Sequence, residues 1–169
     1  MSGRCNDVPS PVVPADGPTV LIRPFAAADQ PVVRALVLAG LADHWDEVDA
    51  SLNPDLDDVA AAYAHGRTLV AEVGGTVCGT GTLVPHGHDA AEIVRMSVAR
   101  EARGGGLGRA LVEALVAEAS AWGVGRVVLE TTATWTDTVA FYLACGFTIT
   151  HYDDGRFGRD AWFERVLGA

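Results

Sequence analysis

The sequence predicts a single α/β (α+β) domain: a mixed, mainly antiparallel sheet of six to seven strands flanked by about four helices. Three observations carry this. Two strand-like runs, Arg67–Val73 and Thr76–Val84, meet at Gly74-Gly75, a pair that tolerates the positive φ angles of a tight hairpin. Beyond the hairpin the apolar period changes from two to about 3.6, with apolar residues at 107, 111, 112, 115 and 116, and strand-like and helical segments then alternate. Such an order, hairpin strands followed by βαβ-like units, places helices on both faces of a mixed sheet. The chain of 169 residues is long enough for one substantial core, and it contains no internal repeat.

Taken in order, residues 1–18 are rich in Pro, Ser, Gly and Asp and read as a flexible leader, with the domain occupying 19–169. Thr19–Pro24 is a strand that a proline ends. Asp29 is placed to cap a helix with Pro31 in its first turn, running to about Leu38, where Gly40 is expected to break it. Asn53-Pro54-Asp55 begins a second helix through Tyr63. The hairpin follows, then a loop at Pro85–Asp89 and a strand at Ala91–Val98. A long helix is expected from Leu107 to about Trp122, a strand at Arg126–Glu130, a helix at Asp137–Ala144 ended by Gly146, and strands at Phe147–His151 and Ala161–Leu167.

Composition excludes several function classes. No apolar run approaches the roughly 18 residues of a membrane span, and the first residues lack the apolar centre of a signal peptide, so cytoplasmic residence is expected. Cys5, Cys78 and Cys145 are odd in number and far apart, forming neither a disulfide framework nor a paired metal motif. The net charge of −10 argues against nucleic-acid partners. All twelve basic residues are arginine, which removes a lysine nucleophile, a Schiff-base lysine and a phosphate-loop lysine. Charge is also segregated: seven acids and no base between Asp43 and Asp58, four arginines and one acid between Arg95 and Arg109. One segment reads as suited to an anion; the other is a solvated loop or a capture surface for a cation.

The run Arg103-Gly104-Gly105-Gly106-Leu107-Gly108 leads directly into the long helix. A helix start offers unpaired N–H groups and the positive end of the peptide dipoles, together a phosphate-binding site. The nucleoside-triphosphate loop needs a lysine this chain lacks. The dinucleotide fingerprint fits poorly: its third glycine would fall on Arg109 or Leu111, and Ala99-Arg-Glu-Ala102 separate the strand from the glycines. That leaves Arg-x-x-Gly-x-Gly. Met96-Ser-Val98, four residues, Arg103 to Gly108 and an amphipathic helix resemble the acetyl-coenzyme A motif of the GNAT superfamily of N-acetyltransferases. Leu21–Phe25 with Asp29, the hairpin Leu69–Leu83, and Ala140-Phe-Tyr142 with Cys145-Gly-Phe147 resemble further parts of the family in the same order, covering about residues 19–167.

This resemblance implies a GNAT-like fold and acetyl transfer from acetyl-CoA, bound as cosubstrate without a metal, to an amine of a small molecule or peptide. A nicotinamide-dependent oxidoreductase and a non-catalytic acyl-CoA-binding domain are the alternatives. By resemblance the pyrophosphate lies along the N–H groups of Gly104, Gly105, Gly106, Leu107, Gly108 and Arg109, with Arg103 ordering the turn. Met96, Ser97 and Val98 offer backbone groups to the pantetheine arm, and one N–H polarises the thioester carbonyl as charge develops there. The expected partners are amines, cationic ones included, rather than nucleic acid or membrane, and a homodimer is left open.

A lysine-like amine costs roughly 4–5 kcal/mol to deprotonate at pH 7, an α-amine about 1. Glu92 is therefore the candidate base; period-2 spacing puts it on one strand face with Val94, Met96 and Val98. Glu130 is the second candidate. Tyr142 matches the family tyrosine that protonates the departing sulfur, a transfer uphill by about 2 kcal/mol at ordinary pKa values. Family members often carry Asn seven positions before that tyrosine; here it is Trp135. His86-Gly-His88-Asp89 has weak metal-ligand character, and His44 and Trp45 are candidates for an amine pocket.

Overall fold

The computed structural model describes residues 18–168. The expected leader falls almost wholly outside these residues, as does Cys5. Seven strands form one sheet in the order β1-β2-β3-β4-β5-β7-β6, with β1 Val20–Pro24, β2 Arg67–Val73, β3 Thr76–His86, β4 Ala90–Val98, β5 Arg126–Thr132, β6 Thr148–Gly155 and β7 Gly158–Val166. Every neighbouring pair is antiparallel except β4 and β5. Helices α1 (Gln30–Ala42) and α2 (Val59–Ala62) cover one face through Val33, Val59 and Val70; α3 (Leu107–Ala121) and α4 (Thr136–Ala144) cover the other. The larger core is on the α3 side, where Leu111, Val112, Leu115 and Ala119 are fully withdrawn from water. Among the described residues no helix is long and apolar enough to cross a membrane.

Two expectations for the first helices need correction. Gly40 does not end α1, which continues to Ala42. A Cβ at Gly40 would lie 2.6 Å from Ser97 Oγ, and that hydroxyl donates to the Leu36 carbonyl at 2.7 Å. Glycine here lets the helix lie close against β4, and its intrinsic cost of about 1 kcal/mol is overridden by packing. The segment expected as one helix from Asn53 to Tyr63 is instead a single 3-10 turn, Pro54–Leu56, and the short α2, with a further 3-10 turn, Ala50–Leu52, ahead of it. Gln30 divides it: its side-chain amide donates to the Leu56 carbonyl at 2.7 Å and accepts from Val59 N–H at 3.0 Å. Asp58 then caps the new start by accepting from Ala61 N–H. Strand ends also differ: β3 extends to His86 into the expected loop, and β6 runs on to Gly155.

Candidate active site

β4 and β5 pair only over Ala90–Glu92 and Arg126–Val128. Beyond them the strands part, so residues 93–98 of β4 lack a β5 partner. An unpaired strand stretch inside a sheet leaves backbone donors and acceptors facing a gap. The cause lies in β4: Thr80 pairs with Ser97 but Thr82 with Val94, so two residues, Arg95 and Met96, oppose Gly81. This is a β-bulge, with Arg95 at φ 53°. Arg95 is held there by Asp55, whose oxygens accept from Nε and Nη2 at 2.8 and 2.6 Å, and by Asn53. Asp55 also accepts from the Tyr63 hydroxyl at 2.6 Å.

The bulge corrects the face expected for β4. Glu92, Val94 and Ser97 lie on the α1 side, whereas Met96 and Val98 pack into the core beneath α3. An extra residue resets the alternation, so Glu92 shares no face with Met96 or Val98.

At the open end of the gap, α3 begins. Gly106 is its N-cap, at φ 86° with no side-chain cap, and the first helical hydrogen bond runs from Ala110 N–H to the Gly106 carbonyl at 3.0 Å. Leu107, Gly108 and Arg109 therefore present N–H groups without intrahelical partners. Added Cβ atoms at Gly104, Gly105 and Gly106 would meet nothing within 4 Å, so the turn's outer surface is bare backbone. Gly108 differs, because a Cβ there would lie 3.2 Å from the Phe141 ring. It serves the contact between α3 and α4. The cradle fits an extended anion bound by main chain at a helix start.

The arginines of this segment face elsewhere. Arg103 donates from Nε to the Val98 carbonyl at 2.9 Å and pairs through Nη2 with Asp43 at 2.6 Å. Arg100 pairs with the same carboxylate, and Asp43 is held below the usual carboxylate range by the two guanidiniums. Arg109 donates to the Ala144 carbonyl at the end of α4. The two segregated charge blocks are thus partners: Arg95 with Asp55, Arg100 and Arg103 with Asp43. Asp57 pairs with Arg34, while Asp49 and Asp58 cap local turns. The arginine side chains of the basic block are thus turned to acids and a carbonyl, leaving its glycine backbone to meet an anion, and five of the seven acids of 43–58 are engaged within the fold.

Negative charge at the gap comes from other residues. Glu92 and Glu130 project from β4 and β5 on the α1 side, and Glu130 is raised above its ordinary range by the withdrawal of water, then by Asp160, Glu92 and Asp153. Glu92 is largely covered, and His86 Nδ1 lies 3.0 Å from its Oε2. Tyr142 is buried, its ring edge-on to Phe141 and Phe147, and burial pushes its phenol far up. Trp135 stacks on His44 with centroids 4.0 Å apart and meets Trp45 at 5.6 Å; Trp45 in turn meets Phe157 of the β6–β7 turn. These four rings join three segments, an arrangement their sequence separation conceals. Sequence reasoning also missed His86 as the neighbour of Glu92, and Asp153 and Asp160 as neighbours of Glu130. The signal available for His86 was the β3–β4 register. Among the described residues, no three His, Cys, Asp or Glu side chains converge as a metal site.

The fold with this parted strand pair and glycine turn defines a class, and the chain belongs to it: residues 38–147 match the acetyltransferase (GNAT) family. Among relatives, it is 37% identical over 112–114 residues to two proteins, one being the IAA acetyltransferase of Azospirillum brasilense, where the match covers 67% of this chain and 72% of that one. The rat N-acetyltransferase 8F1 is 34% identical over 63% of this chain and 52% of its own length. The chain spans about half the length of the mammalian relatives it matches. In fold it resembles a GNAT family acetyltransferase from Elizabethkingia anophelis crystallised with acetyl-CoA bound, at TM-score 0.71, 19% identity, and 88% and 98% coverage of the two chains.

Proposed function

We propose that this chain is an acetyl-CoA-dependent N-acetyltransferase, moving acetyl to a primary amine by direct attack on the thioester. The observation that carries the reading is the junction of a bare N–H cradle at the start of α3 with a strand gap whose far side holds Glu92. Acetyl-CoA supplies the activated acetyl group; the pyrophosphate would lie along the N–H groups from Gly104 to Arg109. Backbone groups of β4 beyond Ile93 would hold the pantetheine arm. A preorganised N–H aimed at the carbonyl stabilises the charge that develops there.

Glu92 accepts the proton of the attacking amine, directly or through water. Glu130, Asp153 and Asp160 attract a cationic acceptor. By family resemblance Tyr142 would protonate the departing sulfur. Burial makes its phenol a still weaker acid, so its contribution is small.

Coenzyme A release tests the reading with benzylamine, 1,4-diaminobutane, a lysine side chain and a peptide α-amine. Turnover on at least one, lost in Glu92→Gln, is expected. Tight acetyl-CoA binding without turnover on any amine would indicate a non-catalytic acyl-CoA-binding domain instead.

A further inference from the structure

Acetylation of an ammonium ion releases one proton in net: the amine gives up two, the departing sulfur takes one, and the other must reach bulk water. We propose that His86 is the exit for this proton, a positioning and relay residue that acts through Glu92. The proposal rests on Glu92 being the base. Its Nδ1 lies 3.0 Å from Glu92 Oε2, within hydrogen-bonding reach. The Glu92 side chain is 18% exposed and that of His86 45%, so the imidazole stands between a largely covered carboxyl and solvent. His86 is at the end of β3 and Glu92 on β4, with cross-strand pairing of His86 to Ala90 and Val84 to Glu92 fixing their approach.

The transfer balances in protons. Glu92 takes one proton from the amine and becomes a carboxylic acid. Its O–H bond then breaks as Nδ1–H forms, and Nε2–H breaks as that proton passes to water, leaving the carboxylate restored and the imidazole neutral in its other tautomer. Imidazole is suited to this because its two nitrogens exchange donor and acceptor roles. The other titratable or charged side chains around His86 are Arg126, His151 and Glu164, which line the same shallow depression of about 290 Å³. Arg126 is paired with Glu164 at 3.1 Å, and His151 stacks on Trp162, whose ring lies 6.0 Å from His86. Glu92 is thus the carboxylate in hydrogen-bond contact with the imidazole.

The test compares His86→Ala, Glu92→Gln and the unaltered chain, using whichever of the four amines above turns over fastest, across pH 6–9, with and without added imidazole. His86→Ala is expected to lower kcat about tenfold, with KM for acetyl-CoA unchanged, and imidazole is expected to restore much of the loss. Glu92→Gln is expected to lose more and to gain nothing from imidazole. An unchanged kcat in His86→Ala, or a loss that imidazole does not restore and that leaves the pH profile the same shape, overturns the relay. Full activity in Glu92→Gln would remove the base assignment as well, and so separates the two failures. A second readout needs no turnover: the ring nitrogen NMR resonances of His86 should move in Glu92→Gln, because the carboxylate 3.0 Å from Nδ1 is replaced by an amide. Unmoved resonances contradict the pairing.

Discussion

The glycine turn at 103–109 and the acidic segment at 43–58 are neighbours in space, yet they differ in how their chemistry is written. In the turn the functional groups are backbone N–H donors, exposed because the residues carry no side chains and the helix begins there. In the acidic segment the side chains themselves are conspicuous, and most are engaged in holding the fold: Asp43 by two arginines, Asp55 by Arg95, Asp57 by Arg34, Asp49 and Asp58 as caps. Conspicuous charge marked structure, and absent side chains marked the candidate site. The four arginines from Arg95 in the bulge to Arg109 follow the same rule, since three pair with acids and Arg109 binds a helix-end carbonyl.

This contrast can be broken in several places. The largest effect is expected at the gap itself, where Glu92→Gln should lower kcat by about 10²–10⁴-fold with KM for acetyl-CoA little changed. Next, Arg95→Ala removes the guanidinium that holds the bulge and leaves Asp55 without its ion pair. A denaturant titration should give a loss of about 2 kcal/mol, with reduced activity because the gap depends on that bulge. Gly106→Val forces a branched side chain at φ 86° and covers the helix start; KM for acetyl-CoA should rise about tenfold or more while KM for the amine stays near its original value. Tyr142→Phe should lower kcat by less than about tenfold, since a phenol raised by burial is a poor proton donor. Smallest of all, Asp46→Asn with Glu47→Gln should leave the amine KM nearly unchanged, because capture is assigned to Glu130, Asp153 and Asp160, whereas Glu130→Gln should raise it for a cationic amine. A rise in the first and none in the second would return the capture role to the acidic segment.

The strands and long helices were legible because each depends on local periodicity and a nearby turn. The hairpin at Gly74-Gly75 and α3 needed nothing from distant residues. The second helix was not legible, since Gln30, far away in sequence, takes the hydrogen bonds that would have joined its halves. Gly40 failed as a breaker because its role is contact with Ser97 on another element. The turn at 103–109 stood out through composition alone, but the face of Glu92 relative to Met96 depended on a bulge that no alternating pattern announces. The aromatic cluster of His44, Trp45, Trp135 and Phe157 was hidden for the same reason: three loops meet only after the sheet has formed.

The central claim, recognition of a pyrophosphate by main chain at 104–109 while nearby arginines bind acids, is tested most directly by backbone amide NMR. Acetyl-CoA should shift the N–H resonances of Gly104 to Arg109, acetyl-pantetheine, which lacks the pyrophosphate, should leave them near their original positions, and the Arg103 pairing with Asp43 should persist in both. Equal shifts with the two ligands, or none with acetyl-CoA, would contradict it.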